Sequence, residues 1–238
     1  MEAIVEELQE ELNCATAIKV PFLSKIPLIG TDGIAESVVI TWVIMAVLIL
    51  FSFLMTRNLK VHNISKRQAV IELIVVKVSG IVESMLGKEA LRYSEYLTTI
   101  LIYVVIADVC GIFGVKSPTK DLNVTVALAL MSIILIEYAG IHKKGVGKWL
   151  HSFLEPIAII APINVLELFI RPLSLCMRLF GNILGAFVIM ELLKMVVPVF
   201  VPAVFSLYFD FFDGAIQAYV FVFLTSLFIK EAVEIEEA

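Results

Sequence analysis

Long uncharged apolar runs alternate with short charged segments along most of this chain. The clearest run is Val38–Met55, which contains no charged residue. About 20 apolar residues in a helix suffice to cross the roughly 30 Å of bilayer hydrocarbon. We therefore predict a first transmembrane helix over residues 36–56, preceded by an extracytoplasmic segment over residues 1–35.

The segment that follows, residues 57–95, has a different periodicity. Its charged and apolar residues alternate at helical spacing, which is typical of an amphipathic helix lying on a membrane surface. Basic residues in its first part place it on the cytoplasmic side, because positive charge concentrates in cytoplasmic loops. These residues are Arg57, Lys60, Lys66, Arg67 and Lys77.

Residues 96–141 contain two further apolar runs, joined by the loop GVKSPTKD, and predict the second and third transmembrane helices. Asp121 ends this loop directly before an apolar run, so we expect its carboxylate to cap the third helix. Residues 142–154 are again basic and predict a cytoplasmic loop.

The last region, residues 155–238, is apolar over most of its length and is interrupted by Pro198 and Pro202. Because proline breaks helices, we predict two long helices, at about 155–197 and 203–231, which form a hairpin before an acidic tail. A helix of roughly 40 residues is longer than a perpendicular crossing, so these helices must tilt strongly.

Composition supports a membrane protein. Hydrophobic residues make up 60% of the chain and charged residues only 17%, whereas soluble domains contain about 25% charged residues. We predict an all-α polytopic membrane protein with five membrane helices, its N-terminus outside and its C-terminus in the cytoplasm. Cys14, Cys110 and Cys176 show no metal-binding spacing and are interpreted as packing residues, so we expect no metal and no cofactor.

Ionisable residues within the predicted membrane helices are the unusual feature, because each costs about 2.5–3.5 kcal/mol at a helix centre. One face of the fourth helix carries a polar stripe at spacings of three or four residues, and the last helix carries a shorter one. The first stripe consists of Glu167, Arg171, Ser174, Arg178, Asn182 and Gly185, and the second of Asp210, Asp213 and Gln217.

Structural roles explain some of these residues without any transport function. Glu167 and Arg171 stand four residues apart and predict an ion pair. Asp213 fits a charge at the start of the last helix, and Asp108 fits a side chain facing a loop-lined aqueous pocket. Arg178 has no carboxylate three or four residues away and lies too far from the turn to snorkel. We therefore expect its counter-charge to come from another chain.

Three longer motifs carry a family resemblance. They resemble the signatures PTxDLNVTLALAL, PLSL-x-x-RLFGN and QAFIF of subunit a of the rotary F-type ATP synthase, in the same order. Together they cover the membrane part of the chain. The motifs are SPTKDLNVTVALAL at 117–130, PINVLELFIRPLSLCMRLFGNILG at 162–185 and DFFDGAIQAYVFVFLT at 210–225.

This resemblance implies a stator ion-channel subunit without catalytic chemistry of its own and without a nucleotide site. Such a subunit provides two offset half-channels and couples H⁺ or Na⁺ translocation to rotation of a c-ring and to ATP synthesis. The implied partners are the c-ring, the subunit b peripheral stalk and membrane lipid, with no nucleic acid. The implied location is a bacterial cytoplasmic membrane.

The resemblance also assigns roles to single residues. Arg178 matches the essential arginine that faces the c-ring, and Gln217 matches its polar partner on the last helix. Nine residues after the arginine, where many relatives carry Glu, this chain has Phe187. Asn182 and Asp210 match positions of the outer half-channel, and Glu167 and Arg171 match the inner half-channel. Asp121 matches the Asp of the first signature, and the resemblance places it among the ion-translocation residues. Asp210, Asp213 or Glu191 are candidates to replace the missing Glu.

Two other classes of protein compete with this interpretation. A secondary ion-coupled transporter usually shows internal repeats and helices broken near mid-membrane, and no repeat is evident in this sequence. A non-transporting assembly subunit would not require three polar residues at the same depth in the membrane, as we expect for Arg178, Asp210 and Gln217.

Overall fold

The computed structural model describes residues 16–19, 33–57, 59–60, 64–88, 90–113, 117–152, 161–196, 205 and 207–233. Seven α-helices account for most of these residues, which confirms the predicted all-α class. The helices are α1 (Glu36–Thr56), α2 (Lys66–Leu86), α3 (Ser94–Val109), α4 (Leu122–Lys144), α5 (Val146–Ser152), α6 (Ala161–Val196) and α7 (Gly214–Val233).

Two short strands, which the sequence analysis did not predict, precede α1. β1 (Thr16–Lys19) pairs antiparallel with β2 (Gly33–Ala35), and the register is irregular near Thr16.

Within the described residues, four helical stretches are long and apolar enough to cross a membrane. Helix α1 has the bounds predicted for the first transmembrane helix. Helix α3 is shorter, with 16 residues, so the predicted total of five membrane helices stays a prediction. The four are Glu36–Thr56, Leu122–Lys144, Ala161–Met190 and Leu207–Val233.

Helix α2 lies within the predicted amphipathic segment and has defined ends. The Ser65 hydroxyl accepts a hydrogen bond from the Gln68 backbone N–H at 3.2 Å, as N-cap residues do. Gly87 ends the helix with a φ of 70°. The Gln68 amide donates to Glu72 at 2.6 Å and to the Lys60 carbonyl at 3.0 Å, which holds the incoming chain against the first turns.

The segment predicted as a basic loop, residues 142–154, is mostly helical where it is described. Helix α4 continues through Lys144, and α5 follows after Gly145. Gly145 has a φ of 79° and donates its N–H to the Ile141 carbonyl at 2.9 Å, so it closes α4. Cations favour the last turn of a helix, where they offset its dipole, so the basic residues at the end of α4 are compatible with helical structure.

The region predicted as a hairpin contains α6, a π-helical segment at Leu207–Asp213, and α7. Helix α6 has 36 residues and contains Pro172 in its interior. The predicted turn at Pro198 and Pro202 lies outside the described residues. The second predicted helix differs from the structure in its first part, where π-helical winding replaces α-helical winding up to Asp213.

The chain divides into two compact units. The first comprises residues 1–53, 103–125 and 180–216, and the second comprises residues 54–102, 126–179 and 217–238. The second unit has an apolar core whose largest fully buried members include Phe221, Leu97, Ile136, Leu175, Leu179 and Ile229.

Candidate functional site

Arg178 lies on the exposed face of α6. Its neighbours Leu175 and Leu179 are 1% and 0% exposed and belong to the core of the second unit. Arg178 itself is exposed. Among the described residues it has no ion pair and no hydrogen bond, so the guanidinium is presented outward without a partner in this part of the chain.

Asn182 and Gln217 have different surroundings. Asn182 follows Arg178 by four residues on α6 and is exposed, so these two residues share one helix face, as the spacing predicts. Gln217 stands in the first turn of α7 and is only 3% exposed. It is therefore an interior residue of the second unit, whereas Arg178 lies on that unit's surface.

Arg171 forms the predicted ion pair. Its Nη2 lies 3.0 Å from Glu167 Oε2 and also 2.7 Å from Glu231 Oε1. The guanidinium lies over the Phe228 ring, 5.1 Å from its centroid. Both carboxylate side chains are about half exposed. This confirms the ion pair, whereas the second partner, Glu231, was missed because it stands 60 residues away in the sequence.

Asp121 caps α4, as predicted. Its Oδ1 accepts a hydrogen bond from the Asn123 N–H at 2.9 Å, and its Oδ2 accepts one from the Ser37 hydroxyl on α1. The side chain is buried. Both carboxylate oxygens are thus used to hold the start of α4 to the start of α1.

Asp108 is a buried carboxylate near the end of α3, in the first unit. It is only 5% exposed. The Thr119 hydroxyl donates to its Oδ1 at 2.5 Å. Thr119 also shares a 2.5 Å hydrogen bond with Ser117, whose hydroxyl donates to the Ala107 carbonyl at 2.9 Å. Asp108 Oδ2 is buried and has no hydrogen-bond partner within the described parts of the chain.

The acidic stripe on the last helix does not have the predicted winding. Asp210 and Asp213 lie in the π-helical segment, which turns less per residue than an α-helix, so a spacing of three does not align them as predicted. Asp213 is half-buried. The side chains of Asp210 and Glu191 lie outside the described part of the structure.

Phe187 occupies the position where the sequence comparison expected Glu. The Lys120 ammonium lies 4.8 Å from the centre of its ring. This is the geometry of a cation–π contact. The position is therefore apolar and lies beside a positive charge. Within the part of the chain that is described, no three His, Cys, Asp or Glu side chains cluster as metal ligands would.

Comparison with known proteins gives a consistent result. A family model described as ATP synthase A chain matches residues 38–230. ATP synthase subunit a 2 of Bradyrhizobium sp. is 37% identical over 206 residues, covering 86% of this chain and 92% of the relative. ATP synthase subunit a of Moorella thermoacetica is 34% identical over 206 residues, covering 86% and 94%. The chloroplastic ATP synthase subunit a of Oedogonium cardiacum is 35% identical over 219 residues, covering 87% and 86%.

Proposed function

Because the chain belongs to the ATP synthase A chain family, we propose that it is the ion-translocating stator subunit in the membrane sector of an F-type ATP synthase. Its partners are a c-ring of rotor subunits and the subunit b peripheral stalk. The chain itself makes and breaks no covalent bond of ATP. The basic segments 57–77 and 142–148 favour a cytoplasmic position for those segments, with the N-terminus outside.

The observation that carries this proposal is the exposed, unpaired state of Arg178 within the described residues. An arginine facing lipid costs several kcal/mol, about 2.5–3.5 on insertion scales. The buried Leu175 and Leu179 fix the helix so that Arg178 faces outward. A carboxylate presented by an adjacent rotor subunit removes this cost, and successive subunits supply one carboxylate after another.

The chemistry of arginine suits this role. A rotor carboxylate facing lipid must be neutral, carrying a proton or a bound Na⁺, but beside a guanidinium it is stable as an anion. Arginine keeps its charge in an apolar site, whereas lysine loses its proton readily when it is desolvated. Arg178 therefore releases the ion from each arriving carboxylate and blocks direct passage between two half-channels.

The remaining residues divide between the two half-channels. Asn182 continues the exposed face of α6 beyond Arg178, and Asp210, Asp213 and Glu191 remain candidates for the outer path. Glu167 and Arg171 lie toward the inner path. Each ion that crosses contributes about 2.3 kcal/mol per 100 mV of membrane potential, so several ions must accumulate over a rotation to drive one ATP synthesis step.

Asp121 serves a structural purpose in this proposal. Both of its oxygens accept hydrogen bonds, from Asn123 and from Ser37. A carboxylate that is already used in this way has little capacity left to exchange an ion. We therefore assign Asp121 to holding α1 and α4 together at their starts.

The test is the variant Arg178→Ala in the complete synthase, reconstituted in vesicles. We expect assembly to be retained and ATP-driven ion pumping to be abolished, because the rotor carboxylate no longer releases its ion. Arg67→Ala is the matched control, since it removes an exposed arginine from α2, outside the proposed ion path. It should retain a substantial part of the pumping rate. Normal pumping by Arg178→Ala would contradict the proposal and favour an independent ion-coupled transporter.

A further inference from the structure

One buried carboxylate is not used by the function proposed above. Asp108 and Asp121 are the two buried carboxylates among the described residues. They differ in how their oxygens are used. Asp121 has a donor at each oxygen, whereas Asp108 has Thr119 at Oδ1 and nothing among the described residues at Oδ2. Asp108 therefore retains one buried oxygen that is available to a ligand.

The buried Oδ2 atom of Asp108, which has no hydrogen-bond donor among the described residues, needs a proton or a cation. A buried anion without full pairing is costly, so a carboxylate in such a site is neutralised rather than left charged. The Thr119 hydroxyl satisfies Oδ1 only, and the Ser117 hydroxyl extends this chain of hydrogen bonds to the Ala107 carbonyl. The orientation of the carboxylate is thus fixed while Oδ2 remains available.

The backbone at Gly214 lies very close to the Asp108 side chain. A Cβ built on Gly214 would lie 2.8 Å from the Cβ of Asp108, closer than real side chains come. Only glycine allows this distance at the start of α7. Asp213 directly precedes Gly214 in the chain, and both belong to the first unit, as Asp108 does. A second carboxylate, on a half-buried residue, therefore lies one residue along the chain from the backbone position that Asp108 approaches.

We propose that Asp108 binds the coupling ion in transit through the outer half-channel, with Oδ2 as the binding atom and Asp213 as the exchanging neighbour. For a proton, the O–H bond at Oδ2 breaks as an O–H bond forms on the Asp213 carboxylate, and no other group changes. Position 187, where many relatives carry Glu, is Phe in this chain and contacts Lys120, so it supplies no carboxylate to the first unit. This inference rests on the proposed function, since it needs a rotor to receive the ion.

The test is Asp108→Asn in the complete synthase, in vesicles. The amide keeps an acceptor for Thr119 and nearly the same volume but binds neither a proton nor a cation. Gradient-driven ATP synthesis is measured against the concentration of H⁺ and, separately, of Na⁺ on the outer side. We expect the concentration for half-maximal synthesis to rise at least about tenfold, by the loss of a positioned transfer group.

Matched variants separate this role from a structural one. Glu95→Gln makes the same chemical change on an exposed side chain of α3 and should leave the concentration dependence unaltered. If Asp108→Asn fails to assemble, Thr119→Val is used, because it keeps the carboxylate but removes the hydroxyl that contacts Oδ1 and Ser117, and it should still shift the dependence. An unchanged dependence in Asp108→Asn, or in Thr119→Val where that variant is used, would overturn the inference.

The two proposals fail in different ways. If Arg178→Ala is inactive in the same vesicles while Asp108→Asn matches the unaltered chain, Asp108 is only a structural residue and the stator function stands. If Arg178→Ala remains active, the stator function fails whatever Asp108→Asn shows.

Discussion

The interiors of the two units of this molecule differ in polarity. In the first unit, leaving aside glycine and proline, the described buried side chains are more often polar than apolar. Two of these polar side chains are carboxylates. In the second, the buried side chains are mainly apolar and include no carboxylate within the described residues. The polar set of the first unit is Asp108, Ser117, Thr119, Asp121 and Thr125.

This difference in polarity fits different roles for the two units in the proposed function. The apolar core of the second unit holds α6 so that Arg178 faces outward, and a tightly packed core resists displacement of the residues it positions. The first unit buries the hydroxyls and carboxylates that the proposed ion path would use. Such buried networks are stable only when nearly every group is satisfied, which is why the single open oxygen of Asp108 is informative.

The largest stability effect should come from the apolar core of the second unit. Phe221 is 1% exposed, whereas Phe223, on the same helix, is 40% exposed. Phe221→Ala should cost about 3–5 kcal/mol because it leaves a cavity, and Phe223→Ala should cost far less. Thermal unfolding of the two variants in detergent measures this. Equal losses would show that the packing in α7 is not one-sided.

The next effect compares one glycine in each unit. Gly214→Ala would place a Cβ 2.8 Å from Asp108, whereas Gly140→Ala would meet Ala232 and Trp149 at 3.5 Å, an ordinary contact. Overpacking costs typically about 1–3 kcal/mol, so Gly214→Ala should lower both the melting temperature and the rate of ion-driven synthesis. Gly140→Ala should change neither by much. A well-tolerated Gly214→Ala would contradict the close approach of α7 to Asp108.

A smaller effect is expected at the cap of α4. Asp121→Ala removes the acceptor for the Asn123 N–H and for the Ser37 hydroxyl. Loss of an N-cap costs about 0.5–2 kcal/mol. Ser37→Ala removes only the second of these bonds and should cost less, as measured by thermal unfolding. If Ser37→Ala cost as much as Asp121→Ala, the capping bond to Asn123 would contribute nothing.

The sequence predicts well whatever depends on local spacing. The bounds of α1 follow from one uninterrupted apolar run, and the cap at Asp121 and the ion pair of Glu167 with Arg171 follow from neighbours within four residues. The absence of a partner for Arg178 within its own helix could be predicted for the same reason, because such a partner would stand three or four residues away. These features need no knowledge of the tertiary structure.

Features that depend on distant segments could not be predicted in this way. The contact of Arg171 with Glu231 joins residues 60 apart. The π-helical segment before Gly214 departs from the α-helical winding that spacing arguments assume. Asp108 was visible as an acidic residue in an apolar run, but whether it faced water or the interior depended on where Thr119 and Gly214 pack.

The smallest effect should come from the exposed ion pair of the second unit. Glu231→Gln removes one of two carboxylates that contact Arg171 and leaves the Phe228 contact in place. Exposed pairs contribute about 0.2–1 kcal/mol, and salt screens them, so the loss should shrink further as ionic strength rises. Thermal unfolding at low and high salt measures both effects. A large loss that is independent of salt would mean that the acidic end of α7 holds α6 by more than charge, and that the second unit does not depend on its apolar core alone.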